Sequence, residues 1–479
     1  MSSQTEDHRL KVSITHDNNV TEDILCEVYL PKRLTEPVEL IFRPTSQQLG
    51  QLGLPFEFSI YGEIKDSSGE PRTRINANKV YSKYGSTKQW GQEISESVII
   101  GEPIDLRITM LLRSDKKDEK DTSRGTFWLT HNIMLTPVKC LTTSFTGEVT
   151  VNQGHNFSFT LENGTRLKFD HYYRYLKNDK GDMVSFPELV AEFEMDAERN
   201  ALALSFEPID DFLMLTSFIA RQRCVCLGWE VYSSSEITRF YRRDMTIPKI
   251  EKSHSFNDTL IDIRDFEKFT SIAYNNFVKA EERELLRQAV YKSTGRENTT
   301  FESNYLRLYS ALETLVLIYR KYYDLEFIVK LSEQKAFEKE MKGFIKSCSL
   351  FSEEKNKRKL LYEKLPELYR VSFSTAFKEF CKSYNINLND LWPVVDREDG
   401  GINLSDIRNK LIHGDTFSQR QQRALMSAKE HLRWVVERAT LSVLGWPYSE
   451  SKVSQMFLEN NMKMYKEWSE DRRILTEND

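Results

Sequence analysis

The sequence is poor in proline, with 13 among 479 residues, and no segment of it is repetitive. With an apolar content of 39% and an aromatic content of 12%, that excludes a disordered or low-complexity chain. Cysteine is scarce as well. The six (Cys26, Cys140, Cys224, Cys226, Cys348 and Cys381) stand among apolar residues and form no C-x-x-C pair. Neither a disulfide framework nor a zinc site is expected from them, and they read as reduced packing residues. No apolar run approaches the roughly 20 residues that span a bilayer. The opening MSSQTEDHRLKV also lacks a basic start followed by an apolar stretch. A cytoplasmic chain with no membrane partner is expected. A general excess of positive charge is missing too: 67 Lys and Arg against 72 Asp and Glu leave −5, so a polyanion would have to meet a confined site. There is no phosphate loop G-x-x-x-x-G-K-S/T, no H-E-x-x-H zinc helix and no G-x-S-x-G nucleophile elbow. No cofactor and no metal is expected.

What is present falls into two halves, as the length leads one to expect. From about residue 9 to 206 the apolar period is two, in runs such as RLKVSITH, ILCEVYL, VELIFR, FEFSIYGEI, IDLRITMLL and FWLTHNIML. This predicts an antiparallel β domain with polar hairpin tips at Asp66–Glu70, in the charged stretch Ser114–Ser123, and at Asn163-Gly164. DDFLMLTSFIARQRC then predicts a helix behind an aspartate cap, with VCLGWEVY and EITRFYRR returning to strands. A polar stretch at about 248–260 is the linker. Beyond it the period is helical, with ridges at Tyr305, Leu308, Leu312, Leu315 and Tyr319 and at Leu425, Ala428, Leu432, Val435 and Ala439. The expected architecture is α+β: a β-rich antiparallel domain over 1–250 followed by an all-α bundle over 258–479.

Chemistry concentrates in NLSDIRNKLIHGD, residues 403–415. Asn403 or Ser405 would cap a short helix, Leu404, Ile407 and Leu411 form its apolar ridge, and Gly414 stops it. Arg408, Asn409 and His413 are its polar cargo. Arginine is a permanent cation with a fork suited to phosphate oxygens, and histidine passes protons near neutral pH, the more so at a helix C-terminus that favours the protonated ring. Five steps of 100° leave Arg408 and His413 about 140° apart on an ideal helix, so alone they do not share a face.

The segment RNKLIHG resembles the signature of the HEPN superfamily, an arginine, a polar residue and a histidine a few positions on. The helix FESNYLRLYSALETLVLIYR and the helix RALMSAKEHLRWVVERATLSVLGW are similar to those flanking the motif in ApeA-like antiphage HEPN proteins. The β-rich first half looks like the N-terminal domain of that group. The resemblance implies a metal-independent endoribonuclease acting in abortive infection, in which the RNA 2′-hydroxyl attacks the neighbouring phosphate. Arg408, Asn409 and His413 would be catalytic, with Glu313 and Lys410 in support. It also implies a homodimer or higher homo-oligomer with both motifs facing one cleft, and a first domain that senses a phage-derived trigger. Glu313, alone in the apolar ridge SALETLV, has a plain alternative as a solvent-facing residue. The whole motif has one as a structural ion pair and helix end, within a non-catalytic RNA- or nucleotide-binding module or a dimerisation module.

The arginine–histidine spacing recurs at Arg9 with His16, Arg124 with His131, and Arg166 with His171, all within alternating segments where such pairs point to opposite faces. Cys224-Val-Cys226 would share one strand face, yet two thiols make a poor metal site. The run Lys355, Lys357, Arg358 and Lys359 reads as a solvated basic turn between helices, with electrostatic guidance of RNA as its alternative.

Overall fold

A computed structural model describes residues 8–31, 33–52, 56–90, 93–112, 122–136, 139–143, 149–153, 157–177, 183–196, 206–243, 258–294, 300–348, 350, 355–396 and 401–476. The chain divides into two compact units, Met1–Ser255 and Phe256–Asp479. Most of the predicted linker and of the charged stretch Ser114–Ser123 lies outside the described residues.

In the first unit the alternation becomes strands. These are β1 (His8–His16), β2 (Asn19–Tyr29), β3 (Glu39–Arg43), β4 (Glu57–Lys65), β5 (Pro71–Trp90) and β6 (Glu93–Pro103), with a short helix α1 (Ser46–Leu52) after β3. The pairing runs β5–β4–β1–β2–β3–β6 and returns to β5, closing a six-stranded antiparallel barrel. Closure depends on the length of β5. Its first half pairs with β4, and its second half pairs with β6 from Val80↔Pro103 onward. Val12, Ile14, Ile24, Val28, Leu40, Phe42, Ile60 and Ile75 fill the barrel. Each occupies an inward position of its strand, which is why the period of two was visible.

β5 also pairs with β7 (Asp105–Leu111), which starts a second run of strands. The order continues through β15 (Glu236–Arg242), β14 (Cys226–Tyr232), β8 (Thr122–Leu129), β13 (Met183–Asp196), β12 (Arg166–Lys177) and β11 (Ser158–Thr160). β9 (Lys139–Thr143) and β10 (Val149–Gln153) pair separately. The helix α2 (Glu207–Ala220) is buried along almost its whole length, with Phe212 packed on Phe157, Phe159 and Phe169. The expected aspartate cap is not there. Pro208, suited to a first turn, starts the helix earlier behind Phe206, so Asp210 falls inside it and pairs with Arg242 at 2.7 Å. The Asp66–Glu70 and Asn163-Gly164 tips form as expected, with Gly69 and Gly164 in the left-handed region. Cys224 lies ahead of β14 and not on it. Both Cys224 and Cys226 are fully buried and donate to carbonyls of Thr130 and Gly228, and burial pushes the Cys224 thiol up to about 12 and the Cys226 thiol upward too.

The second unit is helical: α3 (Phe266–Lys279), α4 (Arg283–Ser293), α5 (Phe301–Tyr322), α6 (Leu331–Ser347), α7 (Lys355–Leu368), α8 (Phe373–Ser383), α9 (Leu404–His413), α10 (Gln422–Val443), α11 (Gln455–Asn461) and α12 (Lys463–Thr476). Both predicted ridges, on α5 and α10, are buried throughout. α5 packs against α4, α8, α9 and α10, while α6 and α7 pack chiefly against each other. Among the described residues no helix is long and apolar enough to cross a membrane.

Polar groups also hold this bundle. His431 on α10 is fully buried; its Nδ1 accepts from the Trp392 backbone N–H at 3.1 Å, which leaves Nε2 as the protonated nitrogen facing the Met464 carbonyl at 3.4 Å. Protonation would put a second hydrogen where Trp392 already donates, and burial lowers the pKa of this ring to about 4. The unfolded chain takes up that proton near pH 6.5 and the native state only near 4, so stability falls as pH drops between those values. The full loss is about 3 kcal/mol. Denaturation series at pH 7, 6, 5 and 4 on the parent and on His431→Gln check this; equal pH slopes in both would remove His431 as the cause.

Candidate active site

α9 carries the candidate residues, and its sequence sets both of its ends. Asn403 accepts from the Asp406 N–H at 2.8 Å while Asp406 accepts from the Asn403 N–H at 3.2 Å, a reciprocal capping box. Gly414 at φ +79° ends the helix in the left-handed region, as its lack of a Cβ permits. Leu404 and Ile407 are fully buried, whereas Leu411 is only partly so. The backbone N–H groups of Leu404 and Ser405 donate to the carbonyls of Pro393 and Val394, and the Tyr305 hydroxyl donates to the Leu404 carbonyl at 2.8 Å. The start of α9 is thereby pinned to α5.

Arg408 then meets α5 along two successive turns. Its Nη2 donates to Glu313 Oε1 at 3.2 Å, its Nη1 donates to Asn409 Oδ1 at 3.0 Å, and its guanidinium carbon stands 5.6 Å from the centre of the Tyr309 ring. Tyr309 is itself fixed. Ser405 gives its proton to the Val394 carbonyl at 2.7 Å, so the Tyr309 hydroxyl is the donor in its 2.6 Å bond to Ser405 Oγ. Burial pushes the Tyr309 phenol up to about 12, so it stays a neutral donor. Arg408 and Glu313 are each about one-third exposed, at 32% and 40% of their side-chain surface. The guanidinium is therefore held by three neighbours and still partly open to solvent. Two of its five N–H groups are engaged in these bonds, which leaves three for a phosphate.

The structure thus brings Arg408, Asn409 and Glu313 together and adds Tyr309, which sequence reasoning missed. Tyr309 lies one residue beyond Leu308 of the α5 ridge, and its only signal was its place four residues before Glu313. His413 stands apart from this cluster. It is exposed at the last residue of α9 and makes no hydrogen bond or ion pair among the described residues. Lys410 does not join them either; its Nζ lies 5.9 Å from the centre of the Phe417 ring. Among the described residues no three of His, Cys, Asp and Glu cluster as metal ligands do.

The other arginine–histidine matches lie on or beside strands. Arg9 leans on Glu27 while His16 bonds the Glu57 carbonyl, and Arg166 and His171 alternate along β12. Arg166 instead lines an open groove of about 890 Å³ on the polar face of the second sheet, with Arg124, Lys168, Tyr172, Glu192 and Glu194. No family model matches this sequence, and no curated protein or solved structure matches it either.

Proposed function

We propose that the second unit is a metal-independent endoribonuclease of the HEPN type, with Arg408, Asn409 and His413 as its catalytic residues and Glu313 as the group that positions Arg408. The observation that carries this reading is the Arg408 guanidinium, fixed by Glu313, Asn409 and the Tyr309 ring on a helix that ends at His413. A phosphate meeting two of the remaining N–H groups side by side would have the charge on its oxygens balanced as a 2′-hydroxyl attacks in line. His413 at the exposed helix end would move the proton, and the product would carry a cyclic phosphate. DNA has no such hydroxyl and would be bound at most.

Within this reading two copies face their motifs into one cleft, which supplies the histidine that one copy holds away from its own arginine. The chain acts as an antiphage effector, and the first unit restrains it until a phage-derived trigger arrives. The groove on the second sheet offers that trigger a surface. A second reading, a module that binds RNA or nucleotides without cutting, is favoured by the separation of His413 from the Arg408 cluster.

The deciding experiment incubates the purified chain with total RNA and a chelator beside His413→Ala, and maps fragment ends. Cyclic phosphate ends that fall by about 10²- to 10⁴-fold in the variant are expected. RNA that is bound equally by both proteins and cut by neither would mean either that the first unit holds the enzyme off until its trigger arrives or that the binding module is the better reading.

A further inference from the structure

The helical unit contains one element that its core does not explain. α6 and α7 form a hairpin, tied by the Tyr362 hydroxyl donating to the Lys342 carbonyl at 3.4 Å and by the Tyr369 hydroxyl donating to Glu338 at 3.1 Å. Among the described residues of 331–369 only Ile345, Leu365 and Tyr369 count as buried apolar residues. Phe344, Leu350 and Leu360, by contrast, are 68%, 78% and 63% exposed. A hairpin that buries so little and leaves such side chains uncovered is built to meet something else.

Charge identifies the partner. The hairpin from 331 to 369 holds nine Lys or Arg and seven Glu, a net charge of +2 in a chain whose net charge is −5, and the excess gathers at 341–362, with six Lys or Arg and two Glu. On α6, Lys335, Lys339, Lys342 and Lys346 recur at four, three and four residues, which places them within about 60° of one another, with Lys342 paired to Glu338 at 3.0 Å. α7 begins with Lys355, Lys357, Arg358 and Lys359 and has no acidic residue in its first turn. Cations at a helix start oppose its dipole, so helix stability does not account for them. Lys346, Lys355, Arg358 and Lys359 make no ion pair among the described residues. The outer face of α7 interleaves Lys357, Leu360, Lys364 and Leu368 within about 80°. A helix lying on a membrane would segregate such residues onto opposite faces, and a second copy would bring like charges together.

We infer that the α6–α7 hairpin is an arm that grips single-stranded RNA through its phosphates, outside the Arg408 site. The inference rests on the reading that this unit acts on RNA. The arm supplies sequence-independent affinity, and the site supplies the cut.

The test measures binding of a fluorescein-labelled mixed-sequence RNA strand by the full chain, carrying His413→Ala so that the strand stays intact. The test variant adds Lys346→Glu, Lys355→Glu and Lys359→Glu. The control instead adds Lys11→Glu, Lys65→Glu and Lys79→Glu on the first unit, with the same change in net charge. Loss of three phosphate contacts should weaken binding about 10- to 100-fold and lower the slope of affinity against salt by about 2, with the control near the parent. Unchanged binding in a test variant that melts like the parent would overturn the arm while leaving the ribonuclease reading intact. A chain with His413 restored that neither binds nor cuts RNA would overturn both. If vesicles of phosphatidylcholine and phosphatidylserine lose the test variant while RNA keeps it, the arm is a membrane contact and the inference fails.

Discussion

Under the proposed ribonuclease reading, replacing Arg408 by lysine is expected to slow RNA cleavage by about 10²- to 10³-fold, the scale of losing one preorganised donor group at a developing charge. Lysine keeps the charge and roughly the reach, but it presents a single ammonium in place of a planar fork. In the parent, one arm of the fork is held by Glu313 at 3.2 Å and another by Asn409 at 3.0 Å, while further N–H groups stay open. An ammonium can satisfy Glu313 or a phosphate, and it cannot do both in fixed directions. The ring of Tyr309 also loses the flat partner that a guanidinium provides. Because the pair is partly exposed, the melting temperature should move little. Single-turnover cleavage beside a thermal melt separates the cases. A lysine variant that cuts at the parent rate removes Arg408 from the chemistry, and one that melts far earlier makes Arg408 structural.

A second large effect is expected at Asp390. Arg438 on α10 is almost wholly buried, donating through Nη1 and Nη2 to the two Asp390 oxygens at 2.6 Å each, through Nε to the Val453 carbonyl at 2.7 Å, and to the Asn387 carbonyl at 2.9 Å. The Tyr465 hydroxyl donates to Asp390 as well, at 2.9 Å. Despite burial, the Arg438 bonds hold the Asp390 carboxyl below the usual carboxylate range. Asp390→Ala would strand a buried cation and a buried hydroxyl, at a cost of about 3–5 kcal/mol. For a unit of this size that lowers the melting midpoint by about 10 °C. Asp390→Leu combined with Arg438→Met should recover most of the loss, because no charge is then left unpaired. A single variant that melts with the parent would mean that water reaches the guanidinium.

Local features were legible in the sequence. The cap at Asn403, the stop at Gly414 and the ridges of α5 and α10 depend on residues a few positions apart, and each appears as the spacing demands. Glu313 was visible as a carboxylate in an apolar ridge, but its partner lies 95 residues away, and no periodicity connects them. Tyr309 was hidden because an aromatic beside a core ridge looks like packing. The buried pair of Asp390 and Arg438 left a trace, the charges inside WVVERATLSV, that amphipathic counting treats as a solvent face. The aspartate cap of α2 failed because Pro208 starts a helix more strongly than Asp210 caps one. Barrel closure could not be read at all, since it rests on β3 meeting β6, at Phe42↔Ile99, across the intervening strands.

That closure bears on how the chain matures. β5 belongs to the barrel and to the second sheet at once, so neither half of the first unit has its full complement of backbone partners until the strand is in place. Pairings that span so much chain must pay the entropy of loop closure before any contact rewards them, whereas helices of the second unit begin from neighbours. The helical unit, though synthesised last, is therefore expected to reach its native form faster. If it is the ribonuclease, the window between its folding and the completion of the β unit is when a restraint carried by the first unit would be least effective.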